Sequence, residues 1–413
     1  MVHLLWADDL VLISNSPQGM QAQLKGLFDF CSKNLMILNE LKTKVMHFGN
    51  CESVKFHFNN KVIERVERYK YLGNMFSSIC KTNQDPFSDN YSYLINQSRR
   101  AIYSIMGKTK QIGRLSPGLM FEMFNTLVRP ILLYGSEVWG IHKKGTSDID
   151  KVFLRYIRNV LCIKCTTSNI ITVGECGQLP PSVYAHYNVL CYAERLSRMS
   201  GNRLVRDVYE ALKCLHFNGF HTWVTDVYRL KDLYNIRIDT NTISVKSYKR
   251  FYKDAVANVY ISQWKDGLTD IVSNPILRTY NLIKEQFMCE RYLTCVTNFK
   301  YRNALCKLRT GSHTLEIERG RHVNPKVDRS KRLCKLCKNI EDEFHFLIEC
   351  KLYDKDRDEL FKNIICHIPN FCNMDGMEKF KNIMTSENEI VLSLTGKFLY
   401  KSFLKRQQFC VNY

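Results

Sequence analysis

Apolar and polar positions follow two different periods along this chain. Near the start, residues 4–6 and 10–13 are short apolar runs on either side of Ala7-Asp8-Asp9. Two such runs around a polar break predict a buried β-hairpin with an acidic turn. Ser16-Pro17 then opens a helix, since proline is tolerated in a first turn, and Leu24, Leu27, Phe28 and Cys31 recur at helical spacing. Residues 45–48 predict a strand closed by Gly49-Asn50. Residues 54–58 and 61–72 flank Asn59-Asn60, a second hairpin signal.

From about residue 90 the period changes to that of a helix. Tyr93, Ile95, Ala101, Ile102, Ile105 and Met106 predict one long helix, and a second starts near Ser116-Pro117 and is interrupted at Pro130. Several more helices are expected from Asp148 onward, with Leu179-Pro180-Pro181 as a turn between them. No repeat of fixed period and no low-complexity tract appears.

Composition narrows the function classes. The 413 residues suffice for two or three domains, and 19 glycines with 9 prolines favour long elements over loops. Sixty Lys and Arg stand against 40 Asp and Glu, a formal charge of +20. That surplus points to a polyanionic partner, nucleic acid or an anionic membrane face. No apolar run is long enough to span a membrane, and the N-terminus lacks the pattern of a signal peptide. The 17 cysteines are therefore read as reduced thiols in a cytoplasmic or nuclear protein. No Gly-rich phosphate loop, nucleophile elbow or kinase signature is present.

Two groups carry candidate chemistry. Asp8 and Asp9 are adjacent carboxylates, which repel unless a cation or proton intervenes. They read either as a solvated acidic turn or as anchors for Mg²⁺ in nucleotidyl transfer. The second group is Cys334-x-x-Cys337 with His345 and Cys350, whose types and spacing suit a tetrahedral zinc site. Glu341-Asp342-Glu343 suits the first turn of the helix that carries His345. Accidental clustering in a cysteine-rich chain is the alternative. Around it lie Arg319, Arg321, Lys326, Arg329, Lys331, Arg332, Lys335 and Lys338, a plausible phosphate-binding patch. Lys249 and Arg250 lie beside Tyr248, Phe251 and Tyr252, a mixture suited to backbone contact and base stacking. Arg99, Arg100, Lys108, Lys110 and Arg114 suit the phosphate-facing side of the helices after residue 90. Each basic group alone reads as a solvated face, and the charge of the whole chain tips the reading toward nucleic acid.

The order of several motifs resembles a known family. Trp6-Ala7-Asp8-Asp9-Leu10-Val11-Leu12-Ile13 resembles the (Tyr/Phe)-Ala-Asp-Asp hairpin of reverse transcriptases. Asn39 with Lys42-Thr43-Lys44 and Phe48, then Tyr69-Lys70-Tyr71-Leu72-Gly73, resemble the stretch and the primer-grip hairpin that follow it in LINE-type (non-LTR) retrotransposon enzymes. The run from Leu127 to Trp139, the run from Leu308 to His313, and the Cys334 cluster resemble their thumb and C-terminal regions.

The resemblance implies an α+β chain. A partial palm (1–88) would precede a mostly α-helical thumb or connector (89–200), a helical linker region (201–304), and a C-terminal region with the zinc knuckle (305–413). It implies RNA-directed DNA synthesis, with Asp8 ligating magnesium, Asp9 supporting it, Lys42 acting on phosphates, and Tyr71, Leu72 and Gly73 holding the primer. Two departures stand out. Trp6 replaces the usual Tyr or Phe, and the family's first catalytic aspartate would lie upstream of residue 1. A truncated copy, inactive as a polymerase alone, is therefore the expectation. RNA and DNA are the expected partners, with an upstream polymerase or endonuclease polypeptide as a further one and no membrane.

Overall fold

Tight turns organise the first part of the chain. The structure is a computed structural model that describes residues 2–49, 54–78, 85–113, 115–201, 203–237 and 244–411. It divides into two compact units, Met1–Leu94 and Ile95–Tyr413. The former holds three two-stranded antiparallel sheets among the described residues. Strand β1 (Val2–Trp6) pairs with β2 (Asp9–Ile13) in the register Leu4↔Val11 and Trp6↔Asp9. Strands β3 (His57–Phe58) and β4 (Lys61–Val62) close over Asn59-Asn60, and β5 (Arg68–Tyr71) and β6 (Asn74–Ser77) close over Leu72-Gly73.

Residue choice explains these turns unevenly. A two-residue turn with both central φ positive matches the strand twist. Asn59 and Asn60, at φ 49° and 61°, are residues that tolerate it; Leu72 at 44° and Ala7 at 53° are not. Gly73 at 83° takes the second position at no steric cost.

The helix Pro17–Lys33 covers this unit's core. Ser16 caps it, accepting from the Gly19 N–H. Its Leu24 is buried with Phe56 and Phe58, and Leu12, Met20, Phe28, Val45 and Ile63 pack around them. Gln23 reaches the Ile13 carbonyl (3.0 Å), and Gln21 bridges to the His57 backbone.

Two expectations fail here. The first hairpin is not buried: Leu5 and Trp6 are about two-thirds exposed, because no third described strand or helix covers β1. Residues 46–48 form no strand either. Val45 alone bridges to Arg65, and Phe48 stands exposed. The Asn50 end of that stretch lies outside the described residues.

The larger unit is helical, so the chain as a whole is mostly helix with a few short strand pairs, in keeping with α+β. The helix Ser88–Ile112 spans the predicted apolar period. Ser116 caps Pro117–Met123, and the ladder then widens to a π turn at Phe124–Val128. Pro130 follows at once in Arg129–Leu132. Proline has no N–H for the preceding turn, and the wider turn takes up that mismatch. Helix Lys143–Leu161 buries Ile149, Val152, Phe153, Tyr156 and Ile157, and Tyr156 donates to the Met120 carbonyl at 2.7 Å. A second core joins Val189 and Leu190 of helix Pro181–Ser197 to Tyr248, Tyr252 and Val256 of helix Val245–Thr269. Near the end, helix Phe299–Arg309 packs along helix Glu389–Val411.

A narrow neck organises this unit. Cys176 pairs with Cys289 as an antiparallel bridge, and the Glu290 N–H donates to the Glu175 carbonyl at 3.1 Å. Gly177 sits at φ 60°, where a Cβ would fall 2.3 Å from the Cys289 nitrogen. Only glycine allows the two segments this close approach.

Beside the neck lies a buried ionic cluster. Arg309 Nε donates to Glu175 Oε1 at 2.7 Å, and its Nη2 lies 2.7 Å from Glu290 Oε2. Tyr280 and Tyr292 donate to the Glu175 oxygens at 3.0 and 2.7 Å. Lys284 pairs with Glu290. The carboxylates are thus matched by cations and hydroxyls, as burial demands.

Candidate functional site

The clearest site is Cys334, Cys337, His345 and Cys350. Leu333 bridges to Ile340, and the Cys334 N–H donates to the Asn339 carbonyl at 2.7 Å. Lys338 turns the knuckle at φ 62°. His345 begins a π turn, His345–Glu349, and Cys350 closes it. One sulfur or nitrogen from each of the four lies within 4.8 Å of the others. Cys350 Sγ is 3.9 Å from Cys334 Sγ and 3.8 Å from Cys337 Sγ. A disulfide needs about 2 Å. Zn–S bonds of about 2.3 Å around a tetrahedron place sulfurs about 3.8 Å apart.

The donors are prepared for a cation. Contact with the Cys350 thiol holds Cys334 down to about 3, and backbone N–H groups of Cys337 and Leu336 also point at its sulfur. The same crowding drives Cys350 far up. Sulfurs this close share protons unless a metal replaces them. His345 Nδ1 is 3.2 Å from Glu349 Oε2, which leaves Nε2 buried without a hydrogen-bond partner. A carboxylate on the far nitrogen is the arrangement that orients a metal-bound imidazole. The four residues fit zinc, by donor set and by the unpartnered Nε2.

The acidic triplet divides its work. Asp342 accepts the His345 N–H at 3.0 Å, as a first-turn acid should. Glu341 and Glu343 instead turn inward. Glu341 takes two bonds from Arg406, at 2.8 and 2.6 Å. Glu343 accepts from Thr279 at 2.8 Å and lies 3.0 Å from His313 Nε2. Although burial pushes its carboxyl up, His313 holds it down to about 2. The run from Leu308 to His313 is thus a hub. Arg309 reaches Glu175, Ser312 accepts the Lys164 N–H at 2.7 Å, and His313 meets Glu343.

The acidic hairpin is differently built. Ala7 and Asp8 form the turn, while Asp9 is already paired with Trp6 in β2, and both carboxylates are exposed. Among the described residues no third metal-ligating group joins them. Lys42 is exposed on a turn braced by Asn39, and Tyr69 of β5 donates to its carbonyl at 2.9 Å. The Lys42 stretch and the Tyr69–Gly73 hairpin are therefore physically tied. Tyr71 is half-buried against Phe76, and Leu72 is exposed at the turn tip.

The basic residues separate into free and engaged. Arg332 directs its guanidinium to the carbonyls of Val327 and Ile317, at 2.8 to 2.9 Å, so it stiffens the knuckle's approach rather than facing phosphate. Arg319 and Arg321 pair with Glu316 and Glu318. Arg329, Arg99, Arg100, Lys249 and Arg250 are exposed. The Lys110 side chain and Arg114 lie outside the described residues. Tyr248 and Tyr252, expected beside the bases as stacking groups, are buried in the core; their i, i+4 spacing was the signal for it.

Comparison with known proteins adds one likeness. No protein-family profile matches the chain. It is 28% identical over 149 residues to an uncharacterized transposon-derived protein of Caenorhabditis elegans. The match covers 35% of this chain and 50% of that protein, so the chain spans about half the length of the curated relative it matches. The likeness supports a transposable-element origin.

Proposed function

We propose that the chain is part of a LINE-type retrotransposon reverse transcriptase, contributing the acidic hairpin, the primer-grip hairpin and a helical, zinc-braced nucleic-acid grip. The observation that carries this reading is the order of two tight hairpins, each turning on a residue that resists positive φ: Ala7 beside Asp8-Asp9, and Leu72 beside Gly73. Strain of that kind collects where a turn is kept for function. The likeness to a transposon-derived protein supports the same origin.

In this reading Asp8 would ligate magnesium together with substrate phosphates, as oxygen donors suit that ion, and Asp9 would support the site. Magnesium would polarise the reacting phosphate. Lys42 would meet the nucleotide's phosphates, and Tyr71, Leu72 and Gly73 the primer end. RNA and DNA are the partners, with a polymerase or endonuclease polypeptide as a further one. A second reading, binding without catalysis, is favoured by the Asp8-Asp9 pair's lack of a third described carboxylate.

Primer extension on an RNA template with Mg²⁺ separates the two when the chain is supplemented with a polypeptide carrying the family's first catalytic aspartate, since the chain alone is expected to be inactive. Synthesis abolished by Asp8→Ala overturns the binding-only reading. Failure of the chain to bind any RNA or DNA in a salt-sensitive way overturns both.

A further inference from the structure

We infer that the outward face of helix Val245–Thr269 is a phosphate ladder: it grips the backbone of a nucleic acid and touches no base. The inference rests on the nucleic-acid reading above and says how one part of the surface would work.

Lys246, Lys249, Arg250 and Lys253 are all exposed. Their spacing is i, i+3, i+4 and i+7, which places them on one side of the helix over about 10 Å. The aromatic residues of the same segment point the other way. Tyr248, Tyr252 and Val256 belong to the core beneath. Base stacking needs an open ring face; the buried pair offers none, and half-buried Phe251 packs its ring against Tyr252. What remains outside is cationic.

The row also stands where a helix least favours it. Lys249, Arg250 and Lys253 follow in the next two turns, and Lys246 lies in the first turn, which carries no acid. The helix dipole is positive there and stabilises anions, not lysines. Arg250 has Asp254 at 3.8 Å, but both are well exposed, and such a pair contributes little. A local choice that opposes its own element indicates a requirement from outside the chain.

The neighbouring helix adds to the same rim. Arg195 of Pro181–Ser197 is exposed. Arg198 is held at 2.8 Å by buried Glu194 and lies over the Tyr248 ring at 4.6 Å. Lys249 lies within electrostatic reach of Cys191 on that helix. Charge complementarity therefore calls for a polyanion, and the missing stacking surface calls for contact with phosphates alone.

The test uses the full chain and a mixed-sequence oligonucleotide, as duplex, as single strand, and as a strand with abasic sites. Lys246→Gln/Lys249→Gln/Arg250→Gln/Lys253→Gln is compared with the wild type across a salt series, with circular dichroism to verify folding. Each lost phosphate contact flattens the plot of log K against log salt by about 0.9 for duplex and about 0.7 for single strands. The variant's slope is expected to be shallower by about three units on the form the ladder holds, and close to wild type on the other. The ratio of wild-type to variant affinity should be the same on normal and abasic strands. Lys355→Gln/Lys362→Gln/Lys381→Gln/Lys401→Gln removes equal charge from exposed lysines elsewhere, and should leave the slope close to wild type. An unchanged slope in the first variant on both forms overturns the ladder while leaving nucleic-acid binding intact. So does an equal loss in the control, an affinity ratio that collapses on abasic strands, or a row that matters only for anionic vesicles. No binding by the wild type overturns the underlying reading as well.

Discussion

Arg309 and Glu175 meet at 2.7 Å although 134 positions separate them, and both side chains are almost fully enclosed. The contact fastens helix Phe299–Arg309 to helix Asn169–Cys176. Removing one partner strands a buried charge, which typically costs 3–5 kcal/mol. Arg309→Ala is therefore expected to lower the unfolding free energy by about 4 kcal/mol. Arg309→Lys should recover less than half, since one ammonium cannot reach both carboxylates and the Met384 carbonyl in the planar arrangement used here. Urea unfolding measures both; a loss below about 1 kcal/mol for Arg309→Ala would show that the pair does not hold the unit.

The metal centre makes a two-part prediction. Purified protein should carry one zinc per chain, and Cys334→Ser should lose it. Glu349→Ala removes the carboxylate beside His345 Nδ1 without removing a ligand. Outer partners of this kind are worth about 10–100-fold in metal affinity. Competition with a chromogenic chelator measures the shift, and an unchanged affinity would refute the assigned role of Glu349.

Asp150 gives the pH prediction. Burial pushes its carboxyl up to about 6, even though Ser182 donates to it through both N–H and O–H, at 2.9 and 2.6 Å. An unfolded aspartate titrates near 4. The folded state thus binds the proton more tightly, so stability falls as pH rises from about 4 to about 6 and is level above. Asp150→Asn keeps one acceptor, Oδ1, for the Ser182 N–H and offers a donor to its hydroxyl, as the protonated acid does, without the charge. It should match the wild type near pH 4 and exceed it at pH 8 by about 1–3 kcal/mol. Thermal melts at the two pH values test this, and a pH-independent difference would count against the buried charge as its cause.

Leu72 separates strain from function. A leucine at φ 44° costs about 1 kcal/mol against a residue that accepts the left-handed region. Leu72→Asn should raise stability by about that amount. If Leu72 holds a primer end, the same variant should weaken primer–template binding. A gain in stability with unchanged binding would remove Leu72 from the proposed grip.

What the sequence made legible was local. Ser16-Pro17 and Ser116-Pro117 announce helix starts because capping uses neighbours in the chain. The Cys334 cluster is readable for the same reason: its four donor residues fall within 17 residues, and the backbone closes over Cys334 to Asn339. Long-range partners leave no such trace. Nothing near Glu175 tells that Arg309 will meet it, or that Glu341 and Glu343 face Arg406 and His313 rather than water. The mixture of bases and rings at residues 246–253 was ambiguous because a helix sorts them by face, and composition does not. Residues 46–48 were misread because strand formation needs a partner, and only Val45 finds one.

The neck at Gly177 and Cys289 has a consequence for how this protein can vary. Residues 178–287 depart from and rejoin the body where the two backbones already touch. Their inner core joins Val189, Leu190, Tyr248 and Tyr252, and the stretch is seated on the body through Ile141, Ser136 and Asp150. A stretch with adjoining ends and a core of its own helices behaves as an inserted cassette, even where it is seated on the body. Its loops, such as residues 218–222, can change length, while the Arg309 cluster, to which its own Tyr280 and Lys284 belong, and the Cys334 cluster keep their geometry. Natural variants of this chain should therefore differ most in loop length inside the cassette, with Lys246, Lys249, Arg250 and Lys253 kept cationic, and least on either side of its neck.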